Sequence, residues 1–545
     1  MKKLSFFLGF IVLFGLFSMT HAQDFVPGQI MIDIKHEYLP ITPTPNGENI
    51  IETGLPSMDT LNVFYGIYAF EKLCDDWGVS KGFYLLKFPE SVDVNQALSS
   101  YLEDIHINMG SLNYIRQPFS ITPSDSYYTE QWGLPKMQCP DAWMYALGSS
   151  SMVIQIIDGG TDYGHPDLVH NIWQNLGEDA DGDGHTIEWD AVENEWVLDP
   201  GDLNDVNDDW ETDTLFGGDL DDDLVGWDFT DWDRDPKPGA SWGDHGDKTA
   251  GTAAAVTDNR ISWQEATHVC DNREGTVAGT SWLSKVMIAR VYSDPDAINA
   301  IHYGIHKGAK IINMSWGGPD DNPLLHAKLD EAWESGLLLV ASAGNYTGEV
   351  PQYPASYANV IAVAATDSDD VKEGYSAYGT WVDICAPGEN WSPGVWKQWY
   401  CYYDWGGTSC SAPFVSGVAA LVWACYPESS NAAIRTALIN SADDIYSIPG
   451  NSAYYGKLGS GRANAYEAVK YYGAEPRPSG DCNGDRLVDV ADIVFLINYC
   501  FLGGQPPRPL CIGDVTDNGV IDSGDIVYLI EYVHLGGPAP KDGCD

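Results

Sequence analysis

Gly407-Thr408-Ser409-Cys410-Ser411-Ala412-Pro413 leads into an apolar, small-residue run, Phe414 to Cys425, that reads as a buried helix. The serine stands where unpaired backbone N–H groups and the positive end of the helix dipole favour negative charge. A hydroxyl there suits the nucleophile of an acyl transfer, provided a base and an orienting carboxylate exist elsewhere. Two upstream segments offer them. Val153-Ile154-Gln155-Ile156-Ile157-Asp158-Gly159-Gly160 is a continuous apolar run that ends on a carboxylate. It reads as a buried parallel strand with Asp158 at its C-terminal edge, where ligand and catalytic groups collect in open α/β sheets. Asp244-His245-Gly246-Asp247-Lys248-Thr249-Ala250-Gly251-Thr252 places a histidine at the start of a small-residue helix.

With Asp158, His245 and Ser409 in that order, the chain resembles the subtilisin-like serine proteases, or subtilases. Ile157-Asp158-Gly159-Gly160 is similar to the family's aspartate motif, and His245 to Thr252 to its histidine motif. Gly407 to Pro413 is similar to its serine motif. Val340-Ala341-Ser342-Ala343-Gly344-Asn345 puts Asn345 where the family keeps an oxyanion-stabilising amide. Ile311-Ile312-Asn313-Met314-Ser315-Trp316-Gly317-Gly318 resembles the strand that binds substrate backbone, which gives Ser315, Trp316 and Gly317. The resemblance implies a subtilisin-like α/β fold, a parallel sheet with helices on both faces. It also implies serine endopeptidase activity on polypeptides through an acyl-enzyme.

Three positions depart from the family pattern. Gly159 replaces a hydroxyl residue beside the carboxylate, Lys248 replaces a second histidine, and Cys410 replaces a methionine next to the nucleophile. Lys248 lowers the histidine pKa if it points inward, and otherwise faces solvent. A non-catalytic binding or scaffold protein, a degenerate subtilase, is the competing class.

The flanks read separately. Residues 1–22 have the form of a secretory signal: Lys2 and Lys3, an apolar run from Leu4 to Phe17, and Thr20-His21-Ala22 as cleavage site. The run is short for a membrane span, and no later segment is long and apolar enough. Export places the 11 cysteines where disulfides form; the odd count leaves at least one unpaired, with Cys410 the candidate free thiol. Residues 23–122 suit a small α+β domain, with strands at Phe25 to Lys35, Gly82 to Phe88 and Leu112 to Pro118 and a helix from Val94 to Ile105. Its place resembles the subtilase propeptide, cut between Gln117 and Asp125; a permanent accessory domain is the alternative.

The peptidase region spans 123–473 and carries an acidic insertion at 175–240. Net charge is −51, which argues against nucleic acid or an anionic membrane surface as partner. Glu178 to Asp235 alone holds 23 carboxylates against one Arg, a block that self-repels without counterions. Asp179, Asp181 and Asp183, with Asp190 at the twelfth position, have calcium-loop spacing, with Asp208, Asp209 and Asp219 to Asp223 as further oxygens. A solvated acidic loop and salt adaptation are the other readings.

After a Pro/Gly linker at 474–480, residues 481–545 repeat with a period of about 33 residues. Asp481, Asn483, Asp485, Leu487 (through its carbonyl), Asp489 and Asp492 align with Asp514, Thr516, Asn518, Val520, Asp522 and Asp525. Each set has calcium-loop spacing and precedes a short amphipathic helix. The pair resembles a dockerin, a small all-α module that folds on Ca2+ and docks onto cohesin-type partners. An intramolecular calcium-stabilised appendage is the alternative.

Overall fold

The computed structural model describes residues 25–46, 50–73, 82–89, 91–114, 121–204, 222–239, 242–259, 276–396, 399–473, 477–502, 504, 507, 510–516, 518 and 520–541. The signal-like segment, residues 115–120 of the cleavage stretch, and Asp208, Asp209 and 219–221 lie outside them. Contacts divide the chain into two compact units, 1–118 and 119–545.

The smaller unit is an antiparallel sheet in the spatial order Ala69–Lys72, Phe83–Lys87, Phe25–Ile34, Ile107–Tyr114. Alternate residues Ile30, Ile32 and Ile34 point to one face, where Met58 and Tyr65 of helix Pro56–Tyr65 and Ala97 and Tyr101 of helix Val94–Leu102 cover them. Asp93 starts the second helix by accepting from the N–H groups of Asn95 and Gln96, a cap worth about 1 kcal/mol. The last strand starts at Ile107, earlier than sequence alternation suggests, because pairing with the first strand extends it.

In the larger unit a seven-stranded sheet is built from β1 (Val153–Asp158), β2 (Gly226–Asp228), β3 (Lys285–Arg290), β4 (Ile311–Met314), β5 (Leu338–Ser342), β6 (Val360–Thr366) and β7 (Ile384–Pro387). All pairings are parallel and the order is β2-β3-β1-β4-β5-β6-β7. Parallel strands need both faces covered, which is why these segments are continuously apolar. Ile154 and Ile156 of β1 pack into one core layer with α4 (Thr408–Cys425), and Val153 and Ile157 into another. Helices α2 (Asp294–His306) and α3 (Pro323–Glu334) fill that second layer. From β1 the chain crosses to the edge strand β2 and returns inward through β3, which pairs with β1, then passes to the other side and winds outward through β4 to β7. The C-terminal ends of β1 and β4 therefore flank the point where winding reverses, the place where such sheets bind ligands.

The aromatic stretch from Trp391 to Trp405 lies in an antiparallel hairpin of β8 (Glu389–Trp396) and β9 (Trp399–Gly406). In the insertion, Ile187–Asp190 pairs with Glu195–Leu198 as a second hairpin. The C-terminal segment holds helices Val490–Ile497 and Ser523–Leu535, each opened by a capping box, Asp489 with Asp492 and Asp522 with Asp525. Ile493, Leu496, Val515, Ile526 and Leu529 form its small core. Cys139, Cys385, Cys410, Cys425, Cys482 and Cys500 are free thiols, so Cys410 is one of several.

Candidate active site

Asp158 closes β1, and burial removes its carboxylate from water. Its Oδ1 accepts from the Gly159 N–H at 2.7 Å and lies 2.8 Å from His245 Nδ1. Thr249 Oγ1, one turn further along α1 (His245–Ala254), reaches Oδ2 at 3.4 Å. Burial of the ring pushes the His245 pKa down, but the Asp158 charge and hydrogen bond outweigh it and the net shift is upward. Lys248 opposes that shift and Asp244 adds to it.

Ser409 lies in the first turn of α4, as the helix-start reading requires. His245, Ser409, Asn345, Ser315, Trp316 and Gly317 all line one open cleft of about 560 Å³. The Ser409 hydroxyl donates to the Ser315 carbonyl at 2.9 Å, and no hydroxyl-to-imidazole hydrogen bond is formed. Ser315 returns the link by donating its own hydroxyl to the Ser409 carbonyl at 2.9 Å. Asn345 follows β5, and its Oδ1 accepts from the Thr408 N–H (2.9 Å) and hydroxyl (3.0 Å). These two bonds fix the flip of the amide, which leaves Nδ2 as the available donor in the cleft. Trp316 Nε1 donates to the Ile157 carbonyl at 2.7 Å, which pins the segment after β4 beside β1.

Each departure from the family pattern has a local partner. A Cβ on Gly159 would lie 2.5 Å from Trp242 Cβ, so the indole takes the space of the missing side chain. Lys248 neither faces the imidazole nor hangs free: its Nζ donates to Asp244 at 2.8 Å and lies over the Tyr403 ring. Cys410 is fully buried in the core, and burial pushes its thiol well above the usual range, which removes it as a nucleophile. Sequence reasoning missed Trp242 and Trp405, whose rings stand edge-on to His245 at 6.3 and 5.6 Å. Trp242 also borders a second cavity of about 290 Å³, which it shares with Trp316, Tyr353 and Asp294.

The metal-ligand expectations divide. Asp179, Asp181 and Asp183 come together, with carboxylate oxygens within 4.8 Å of one another. Asp190 does not join them, because its Oδ1 accepts from the Val192 and Glu193 N–H groups and shapes the turn of the insertion hairpin. Asp222 pairs with Arg234, and Asp223 accepts from Tyr303 and lies 3.3 Å from Lys307, so both are committed elsewhere. In the first C-terminal loop, Asp481 accepts from the Gly484 and Arg486 N–H groups and Asp492 from those of Cys482, Asn483 and Asp489. Burial raises both carboxyls, Asp481 to about 6, against the pull of Arg477 3.8 Å away, and each also feels a neighbouring carboxylate. In the second, Asp525 accepts from Thr516 and Asp522, and Asp514 from Asn518. Buried, mutually repelling oxygens of this kind fit a hard cation. A further group missed from sequence is Asp125, Asp167 and Asp258, all buried, with the Asp258 N–H 2.8 Å from Asp125 Oδ2. Burial first, then neighbouring carboxylates, raises Asp125 to about 6 and Asp167 well above its usual range. Three separate segments supply these residues, so no spacing signalled them.

Comparison with known proteins identifies the family. Residues 149–464 match the model of the Subtilase family. Thermitase of Thermoactinomyces vulgaris is 33% identical over 357 residues, 64% of this chain and 100% of thermitase. A halolysin-like extracellular serine protease of Natrialba magadii is 28% identical over 374 residues, 67% of this chain and 57% of that protein. Among solved structures, a protease from Pseudoalteromonas arctica PAMC 21717 aligns with a TM-score of 0.46 at 24% identity, covering 64% of this chain and 99% of its own.

Proposed function

The chain belongs to the subtilase family and is a subtilisin-like serine endopeptidase, and on that premise we propose that Asp158, His245 and Ser409 are its catalytic relay. The observation that carries the reading is the 2.8 Å contact of His245 Nδ1 with Asp158 in the cleft that also contains Ser409 and Asn345. Asp158 holds the Nδ1–H tautomer and leaves Nε2 free to act as base. Ser409 turns from the Ser315 carbonyl to Nε2, loses its proton and attacks the scissile carbonyl. His245 then passes that proton to the leaving amine, and water repeats the sequence on the acyl-enzyme. Asn345 Nδ2 and the Ser409 N–H donate to the oxyanion. Substrate lies extended along Ser315-Trp316-Gly317. The three departures do not favour the scaffold reading, since Gly159, Lys248 and Cys410 all have packing roles.

The same proposal covers the flanks. The N-terminal α+β unit acts as a propeptide, and the chain is exported. Cys401 is disulfide-bonded, which suits an oxidising compartment. The two C-terminal loops each hold Ca2+, which would supply folding energy to a module whose core is small. That module tethers the enzyme to a cohesin-type partner. The test is hydrolysis of unfolded casein: the full chain cleaves it and Ser409→Ala does not. Equal hydrolysis by both would end the reading.

A further inference from the structure

The acidic insertion carries charge that its own side chains leave unbalanced. One carboxylate oxygen from each of Asp179, Asp181 and Asp183 lies within 4.8 Å of the others. Two oxygens on opposite sides of a calcium ion, each about 2.4 Å from it, stand about that far apart. Exposed carboxylates often cluster without a ligand, so the informative residues are those behind the loop.

Asp199 and Asp202 are only 3% and 0% exposed, and the Oδ2 of each has no hydrogen-bond partner. Asp202 Oδ1 accepts from the Ala180 N–H at 2.8 Å and the Asp181 N–H at 3.4 Å, which sets this carboxylate against the inner side of the loop. A Cβ on Gly201 would lie 2.4 Å from Asp181 Oδ2 and 3.1 Å from Asp199 Oδ1. Those two carboxylates, from opposite ends of the hairpin, thus converge over a glycine that makes room for them. Among the described residues, none of the five pairs with a lysine or arginine; Arg234 of the insertion is engaged by Asp222. A buried carboxylate oxygen with neither cation nor donor is costly, and a bound metal relieves that cost.

We propose that Asp179, Asp181 and Asp183, closed from behind by Asp199 and Asp202, bind one calcium ion that fastens together the two ends of the Ile187–Leu198 hairpin. The site excludes Asp190 and stands independently of the hydrolytic reading. Its test uses the full chain carrying Ser409→Ala, so that self-digestion cannot intervene, and counts bound calcium by equilibrium dialysis. Asp181→Asn and Asp202→Asn each lose one ion per chain, and Asp190→Asn loses none. An unchanged count in the first two, or a loss in the third, overturns the proposal. Should those substitutions fail to fold, the parent chain decides. Calcium at about ten times its dissociation constant should slow Glu-C cleavage at Glu188, Glu193 and Glu195 by about tenfold relative to chelator. Equal cleavage in both conditions overturns it.

Discussion

Asp158 and Asp202 are the same residue type and are equally hidden from water, yet their surroundings differ in kind. Asp158 is met by an imidazole, a backbone N–H and a threonine hydroxyl. Asp202 is met by two backbone N–H groups and two further carboxylates, with one oxygen left over. At the sheet edge the protein supplies its own compensation, and the geometry is set before anything binds. In the insertion, on the calcium proposal, the compensation comes from solution. Perturbing the first region should therefore register in rate, and perturbing the second in ion dependence.

The sharpest division is Ser409→Ala, which should lower kcat/KM roughly 10⁴-fold or more with calcium stoichiometry unchanged. Asn345→Ala should cut turnover by about a hundredfold to a thousandfold, the usual loss of one oxyanion donor, while near-ultraviolet circular dichroism stays the same. Gly159→Ser must displace Trp242, since the added Cβ would stand 2.5 Å from it. We expect a loss of about 1–3 kcal/mol in denaturant unfolding from this overpacking, together with lower activity, and Trp242→Ala should restore part of the stability. Chelation should melt the C-terminal helices, and a thermal scan at 222 nm that is the same with and without calcium would count against both loops.

The smallest expected effect is at Lys248. The folded-state His245 pKa is raised, and the imidazole must be neutral to act as base, so activity rises as pH climbs through that pKa. Lys248→Ala removes an opposing cation and uncovers Asp244, two changes of the same sign. The acidic limb of the kcat/KM profile should move to higher pH; movement the other way would contradict the assigned electrostatics.

The sheet and the cleft were legible because their residues obey local rules. An apolar run ending in Asp158 reads as a buried strand, and small residues after His245 and Ser409 read as close-packed helices. Other features come from tertiary proximity and left no local trace. Trp242 fills the space above Gly159 from 83 residues away, and Asp199 and Asp202 reach the Asp179 loop only because a hairpin folds back. Asp190 shows the converse, since its spacing fits a calcium loop while its carboxylate is spent on a turn. The aromatic hairpin has no clear sequence signal, because its strands carry aromatics on both faces, which hides the alternation.

The Ser409 hydroxyl rests on the carbonyl of Ser315, in the stretch along which an extended chain would lie. An amide N–H arriving there competes for the same oxygen, so docking and release of the hydroxyl become one event. An idle enzyme would then be slow toward small electrophiles with no amide to offer, and would quicken only when a peptide-like chain occupies its groove.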